Sequence, residues 1–561
     1  MNPLITFCMI CKNEEKFIRQ CLDSVKDFVD EIIIVDTGST DKTMEVAKEF
    51  NPVIIEHKWN NSFADARNAG LDRAKGEWIL FLDADEKLNC SDTNKLRNLA
   101  RDNKACAYFL RLFNLVGKNM NDCHEEQSSV LRFFRNHPNV RFQWEIHEQI
   151  GGSLQKQFPF DPMEYLEDIS ITHYGYLNDI VIEKNKMERN FSMIKRKIEE
   201  DPYNAFHHYN LAGEYMRKGS YEDALQSLKK SRSLCKTIKS VGFGFQLVRK
   251  EMVCLLKQNY LEEAYETSID ALKLFPNSPD LHFYMGEVAY ELGLYNTAIN
   301  SYINAMKEKD VPKNYSRNLT ISKEKAPFML ASLYERVGKK KKAIDYYERV
   351  LHHNPKHPGS MERIITLCQK KENELVEKLL FITQDDQVLE NYLINLYVSD
   401  CFGAAETIYL FLTDRSKEKY NSIHQKIILL RYDNLSMVND KRIKTIYQYV
   451  IKKKVLPSNE EDDFLRFLRS GEWPDNKMPT VDDYTELEFT YKLAKKKGYV
   501  EVSSVLLRLW EYFINIEKNH LIRGEWAWYL ASNLFKEEMK ILNDKGATTQ
   551  FSMVLGGIND G

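Results

Sequence analysis

The stretch Glu77-Trp-Ile-Leu-Phe-Leu-Asp-Ala-Asp85 decides how the N-terminal part of this 561-residue chain folds. Its apolar run has no polar alternation, so it reads as a buried strand, and it ends abruptly in acids. Upstream, Phe63–Ala74 has a helical pattern and Val53-Ile54-Ile55 is strand-like. Glu31-Ile-Ile-Ile-Val-Asp36 is a β-branched run that ends in an acid and the turn Thr37-Gly38-Ser39. Ser39-Thr40-Asp41 can cap a helix that runs to about Phe50. Lys12–Val29 has helical spacing through Phe17, Ile18, Cys21, Leu22, Val25 and Phe28, and Ile5–Ile10 is a further apolar run. Strands alternating with helices predict a largely parallel, doubly wound α/β sheet. Ligands of such sheets sit at the carboxyl ends of the strands, where Asp36 and Asp83–Asp85 fall.

Beyond residue 100 the character changes. Ala105–Phe113 and Ser129–Phe134 read as strands separated by irregular segments, a second half of the same domain. From about Asp201 the chain is helical and repeats itself. Tyr221-Glu-Asp-Ala224, Leu261-Glu-Glu-Ala264, Tyr295-Asn-Thr-Ala298 and Lys340-Lys-Lys-Ala343 each open a helix. Upstream of them, small or apolar residues such as Leu211-Ala212, Met285-Gly286 and Leu330-Ala331 mark a partner helix. The step from Ala264 to Ala298 is 34 residues, the spacing of tetratricopeptide repeats, and Pro276 and Pro355 each follow an alanine by twelve. The other steps, 40 and 45 residues, imply longer loops. Gln387–Asp414 reads as one degenerate repeat, and the remainder, with Trp473, Trp510, Trp526 and Trp528, as a further helical region. The boundaries are set at 1–195, 200–370 and 371–561.

Bulk properties exclude several classes. At 43% hydrophobic, 29% charged and 12% aromatic residues the chain can bury sizeable cores and is not disordered. A formal net charge of −3 gives no basic field for nucleic acid, and Lys339–Lys342 reads as solvated helix surface. The N-terminus lacks a secretory pattern, and no run approaches the ~18 apolar residues of a membrane span. Of the 10 cysteines, Cys8 and Cys11 have C-x-x-C spacing, but Cys8 lies inside a strand pattern with no second pair near. Free, mostly buried thiols in a reducing cytoplasm are expected.

Residues i and i+2 of an extended chain point the same way, so Asp83 and Asp85 can offer two hard oxygens to Mg²⁺ or Mn²⁺. Three more segments precede them in order: Cys8-Met-Ile-Cys-Lys-Asn-Glu-Glu15, Ile34-Val-Asp-Thr-Gly-Ser-Thr-Asp41 and Phe63-Ala-Asp-Ala-Arg-Asn-Ala-Gly70. Together the four resemble glycosyltransferase family 2, whose members have the GT-A fold. The resemblance implies an N-terminal α/β GT-A (Rossmann-like) domain ahead of an all-α tetratricopeptide-repeat solenoid and a C-terminal helical region. It puts Glu14 near the ribose of a donor nucleotide, Asp36 on its uracil ring and Arg67 on the base or diphosphate. Asp83 goes to ribose or metal, and Asp85 to the metal.

Two later segments extend the resemblance. Phe142-Gln-Trp-Glu-Ile-His-Glu-Gln149 is similar to an Ile-His-Glu stretch of family members that carry tetratricopeptide repeats. It makes Glu148 the general base for the acceptor, with His147 or Glu145 as rivals; His147 and Glu148 face opposite ways if the segment is a strand. Trp144 departs from the pattern, standing where such relatives often have a small residue. Ile171-Thr-His-Tyr-Gly-Tyr176 offers His173 as a third metal ligand.

The expected activity is transfer of a sugar from a nucleotide diphosphate, a UDP-sugar by resemblance, with inversion at the anomeric carbon. The repeats point to a peptide or protein acceptor, as in bacterial peptide S- and O-glycosyltransferases, and the C-terminal part to a homodimer contact or a grip on the substrate. Other classes stand beside it: transfer to cell-surface glycans, a nucleotidyltransferase, and a repeat scaffold with an inactive transferase domain. Lys12-Asn-Glu-Glu15 is not the Gly-rich basic loop of a nucleotidyltransferase, and intact Asp36, Asp83 and Asp85 argue against a scaffold.

Overall fold

The computed structural model describes residues 3–102, 104–119, 122–175 and 186–432, with Val438, Ile443, Phe489, Thr490 and Lys492. Tyr176, Trp473, Trp510, Trp526 and Trp528 lie outside the described residues. The chain divides into two compact units, Met1–Arg349 and Val350–Gly561.

The first unit is built on one mixed sheet. Its strands are β1 (Ile5–Cys11), β2 (Glu31–Asp36), β3 (Val53–Glu56), β4 (Trp78–Phe81), β5 (Glu86–Asn89), β6 (Ala107–Asn119), β7 (Asp122–Arg135), β8 (Met163–His173) and β9 (Arg317–Asn318). They lie in the order β3-β2-β1-β4-β7-β6-β8-β5, and β9 pairs with β7. β1 to β4 are parallel, joined by the helices Ile18–Val25, Thr43–Lys48 and Phe63–Leu71. Both faces of this half are covered. Phe7, Met9, Trp78 and Leu80 enter one core, and Cys8, Ile79 and Phe81 enter the other. Burial on two faces explains why the Trp78–Leu82 run has no polar alternation.

The second half adds antiparallel strands to the parallel half. β7 runs antiparallel to β4, and β6 and β7 form one long hairpin rather than short strands with irregular segments between. The outer part of that hairpin carries polar residues such as Asn114, Glu125 and Gln127, so no apolar alternation marks it. β5 begins directly after Asp85 and pairs with β8 at the far side of the sheet. The chain between β4 and β5 therefore leaves the sheet in a turn, closed by Glu86 N–H donating to the Asp83 carbonyl at 3.0 Å.

Helix pairs follow. The helices Ala205–Arg217 and Tyr221–Leu234, Gly244–Lys257 and Leu261–Leu274, Pro279–Glu291 and Tyr295–Ala305, and Ala326–Arg336 and Lys340–His353 are the four repeats. Ala224, Ala264, Ala298 and Ala343 are fully buried between them. Gly219, Asn259, Gly293 and Gly338 all have left-handed φ between the paired helices, and they keep the alanines' steps of 40, 34 and 45 residues. Gly286 is where two helices touch: a Cβ there would lie 2.6 Å from the Tyr302 ring.

The 45-residue step hides an excursion. After Ala305 the chain returns to the N-terminal sheet, where β9 pairs with Glu126 and Gln127 of β7. Tyr315 stacks on Phe245 with ring centroids 4.3 Å apart, and Ser129 Oγ donates to the Lys313 carbonyl at 2.7 Å. Arg249 pairs with Glu126 and with the fully buried Asp280, each at 2.9 Å. Asp280 in turn accepts from Asn318 N–H at 3.2 Å. The first repeats and the sheet thus share one compact unit.

In the second unit the helices Asp386–Val398 and Phe402–Phe411 occupy the Gln387–Asp414 stretch, with a left-handed Asp400 between them. No described helix is long and apolar enough to cross a membrane.

Candidate active site

The loops after β1 and β2 meet at one edge because Cys11 and Asp36 are register partners. Asn13 ties them: its N–H donates to Ser39 Oγ at 3.1 Å, and its Oδ1 accepts from Thr40 N–H at 2.8 Å. Glu14 starts the next helix, its N–H donating to Thr43 Oγ1 at 2.7 Å and its carbonyl accepting from Phe17 and Ile18. Asp36 is buried and closes its own turn, accepting from Ser39 N–H at 3.0 Å and from Ser39 Oγ at 2.6 Å. A carboxylate has about four lone-pair sites, so Asp36 retains room for an outside donor.

Further along the edge five charged side chains alternate in sign: Glu148, Arg67, Asp83, Arg132 and Glu86. Arg67 Nε donates to Glu148 Oε1, and Arg67 Nη2 donates to Asp83 Oδ1 at 3.0 Å. Arg132 Nη2 donates to Asp83 Oδ2 at 3.0 Å and to Glu86 Oε1 at 2.6 Å. Glu86 Oε2 accepts from Asp83 N–H at 3.0 Å. The two guanidinium groups lie 3.9 and 5.4 Å from the centre of the Phe81 ring, an aromatic face that holds Arg more readily than Lys. Burial works to raise the Asp83 carboxyl, but Arg67 and Arg132 outweigh it and hold Asp83 at about 2. Burial pushes Glu86 the other way, up.

Asp83 and Asp85 do not face the same way. They sit in a turn, not an extended strand, so the i, i+2 alternation does not apply. Asp83 is turned to the two arginines, while Asp85 Oδ1 lies 3.4 Å from His173 Nε2. The register of β5 with β8, Glu86 opposite His173, brings that imidazole in. His173 Nδ1 is 2.8 Å from Asn114 Oδ1, which assigns the proton to Nδ1 when the ring is neutral and leaves the Nε2 lone pair on the side of Asp85. Burial lowers the His173 pKa, but Asp85 reverses this and the net shift is upward. A Cβ at Gly175 would lie 2.6 Å from both Asp85 Oδ2 and His173 Nε2, so only glycine leaves that space open. A carboxylate and an imidazole suit a divalent cation whose other positions are filled by phosphate and water. Among the described residues no group of three or more His, Cys, Asp or Glu is placed to hold a metal.

The Glu148 loop separates the candidate bases. Gln143 and Gln149 bridge its ends, and Trp144 and His147 both take left-handed φ, 72° and 54°. The left-handed backbone gives a physical reason why a small residue suits position 144. Glu148 points to Arg67. His147 points to the repeat helices, its ring 6.5 Å from that of Phe206 and its Nε2 buried without a hydrogen bond among the described residues. Glu145 is tied by Lys197 at 2.7 Å.

Burial, then Arg217, Lys250 and His207, hold the His147 pKa down at about 4 against its ordinary 6.5. A histidine depressed in the folded state contributes stability that is present above its unfolded pKa and lost as pH falls through the folded one. About 3 kcal/mol is therefore expected to disappear between pH 6.5 and pH 4 on this account. Melting curves across that range check it: His147→Gln should be less acid-sensitive than the parent, and equal sensitivity would refute the assignment.

Arg132 and Glu86 were not singled out from sequence. A lone Arg inside the apolar stretch Val130-Leu-Arg-Phe-Phe134 is the signal that marks the first. The ten cysteines are all free, seven of them buried, including Cys8 and Cys11.

Residues 6–154 match the model of Glycosyl transferase family 2, and residues 328–360 that of a Tetratricopeptide repeat. A TPR repeat-containing protein of Synechococcus elongatus is 33% identical over 228 residues, 40% of this chain and 55% of its own. The SPbeta prophage-derived glycosyltransferase SunS of Bacillus subtilis is 31% identical over 233 residues, 41% of this chain and 53% of its own. A PGL/p-HBAD biosynthesis glycosyltransferase of Mycobacterium tuberculosis is 37% identical over 101 residues, 16% and 39% of the two chains. The chain spans about half the length of the first two of these relatives. Among solved structures, S. aureus TarS aligns over 48% of this chain and 54% of its own at 17% identity, with a TM-score of 0.27. As the four motifs imply, a glycosyltransferase family 2 domain stands at the N-terminus and tetratricopeptide repeats follow it.

Proposed function

We propose that this glycosyltransferase domain moves a sugar from a nucleotide diphosphate, with UDP as carrier, to a peptide or protein acceptor, inverting the anomeric carbon. The observation that carries the reading is the ionic row, in which Arg67 joins Glu148 to Asp83. It sets a carboxylate beside the donor edge with one oxygen held and the other, Oε2, without a hydrogen bond among the described residues. Glu148 Oε2 takes the proton of the acceptor nucleophile as it attacks opposite the leaving diphosphate. Asp36 accepts from the nucleoside base, and Glu14 lies at the same edge for the ribose. Arg67 and Arg132 keep Asp83 ionised, each holding one of its oxygens, at the edge given to the ribose.

Asp85 and His173 are the residues that would hold Mn²⁺ or Mg²⁺, which when bound supplies Lewis-acid neutralisation of the diphosphate. Ten free cysteines support a reducing, cytoplasmic setting. The proposed division of labour is a catalytic domain over 1–195, repeats over 200–370 and a divergent helical domain over 371–561.

Release of UDP from a panel of UDP-sugars in the presence of Mn²⁺ tests the activity; no binding or turnover of any sugar nucleotide would sink it. Asp85→Ala is expected to lower metal-dependent turnover by ~10²-fold or more with the melting temperature kept. Unchanged turnover would remove the metal assignment while leaving the transferase reading in place.

A further inference from the structure

On the repeat side of the Glu148 loop stands a lysine with no ion-pair partner among the described residues. Lys250, on the helix Gly244–Lys257, makes no hydrogen bond or ion pair among the described residues; its Nζ lies 4.0 Å from the centre of the Tyr209 ring. Gly213 makes room for it, since a Cβ there would be 3.1 Å from Nζ. Arg217 lies one helical turn beyond Gly213 and donates to the buried Glu214. Arg249, the next neighbour, is committed to Glu126 and Asp280. Burial first, then Arg217 and Arg249, outweigh Glu214 and Cys254 and press the Lys250 amine down to about 7.

An aromatic strip borders this spot. Trp144 packs on Phe206 at 5.1 Å, Phe206 on Tyr209 at 6.0 Å, and Tyr209 on Phe243 at 4.9 Å. Trp144 nonetheless keeps 44% of its surface exposed, on a left-handed backbone that a smaller residue would occupy more easily. His147 faces the same strip with a buried Nε2 that has no hydrogen bond among the described residues, one residue from Glu148.

We propose that this is an acceptor subsite: Lys250 and Arg217 take a carboxylate of an acidic stretch of peptide, and the Trp144–Phe206–Tyr209 strip takes its apolar side chains. The proposal rests on the acceptor role given to Glu148. Charge complementarity calls for an anion, because a half-buried ammonium crowded by two guanidinium groups, with no ion pair of its own among the described residues, gains most from one. The exposed indole calls for apolar groups on the same ligand. A peptide supplies both; a polyol phosphate supplies charge and nothing to cover Trp144.

The test is a fluorescence-anisotropy titration of the full chain with a labelled synthetic peptide of alternating Glu and Leu residues. Its Gln-for-Glu counterpart, a glycerol-phosphate oligomer and a Lys250→Met protein serve as comparisons. The acidic peptide is expected to bind at least tenfold more tightly than the Gln peptide and the oligomer, and Lys250→Met to lose that preference. Lys250→Met should melt no lower than the parent, since it removes an unpaired charge and keeps the stem over Tyr209. Equal affinity for the two peptides, tighter binding of the phosphate oligomer, an unchanged Lys250→Met, or a drop in its melting temperature would overturn the subsite. UDP-sugar binding by the parent protein, measured without peptide, separates the two levels: donor binding without peptide preference defeats the subsite alone, and absent donor binding defeats the transferase reading.

Discussion

Glu148→Gln is expected to slow sugar transfer by ~10²–10⁴-fold, the range of a lost general base, with donor binding and melting temperature nearly unchanged. Gln keeps an oxygen where Arg67 Nε donates to Glu148 Oε1, so the guanidinium stays over Phe81 and keeps its hold on Asp83. What disappears is the basic Oε2. The prediction differs from that for Arg67→Lys, which loses the planar fork joining Glu148 to Asp83 and should impair donor binding and turnover together. Steady-state kinetics with a UDP-sugar and a transferable acceptor separates them: a fall in kcat with KM for the donor held marks the base. Full turnover by Glu148→Gln would move that role elsewhere on the edge.

Arg249→Met is expected to destabilise the first unit by about 3–5 kcal/mol, the cost of leaving buried charge without its partner. Arg249 neutralises two carboxylates, Glu126 on β7 and the fully buried Asp280 at the start of the helix Pro279–Glu291. Burial already pushes the Asp280 carboxyl up while Arg249 holds it back, so removing the guanidinium leaves Asp280 to protonate or to draw in water. The loss should appear as a fall of the order of 10 °C in the first melting transition. Hydrogen exchange should quicken at Glu126–Gln127, where β9 pairs with β7. A melting curve that does not move would show that this ion cluster carries no net stability.

Much of the strand edge that carries the candidate site was legible in sequence because its signals are local. β1, β2 and β4 are short apolar runs that end in a turn, and each residue of the Asp36–Ser39 turn lies in one segment. The repeats were legible for a related reason: the same small residue recurs wherever two helices close on each other. β5, β8 and β9 were not. β8 carries Glu164, Glu167 and Asp168 among its apolar residues, and β9 is two residues long. Their pairing is decided by strands far away in the chain. The same distance hid Arg132, whose partners Asp83 and Glu86 lie more than forty residues upstream. At Asp83–Asp85 the residues were legible but their directions were not, because a turn replaced the extended backbone on which alternation depends.

The return of β9 to β7 also sets a timetable for synthesis. Arg317 meets Gln127 across 190 residues of intervening sequence. At a ribosomal pace of ~5–20 residues per second, that interval is ~10–40 s. For that time the outer half of β7 has emerged while the strand that pairs with Glu126 and Gln127 has not been made. The N-terminal sheet begins before the repeats exist, and its last strand is made between two of them.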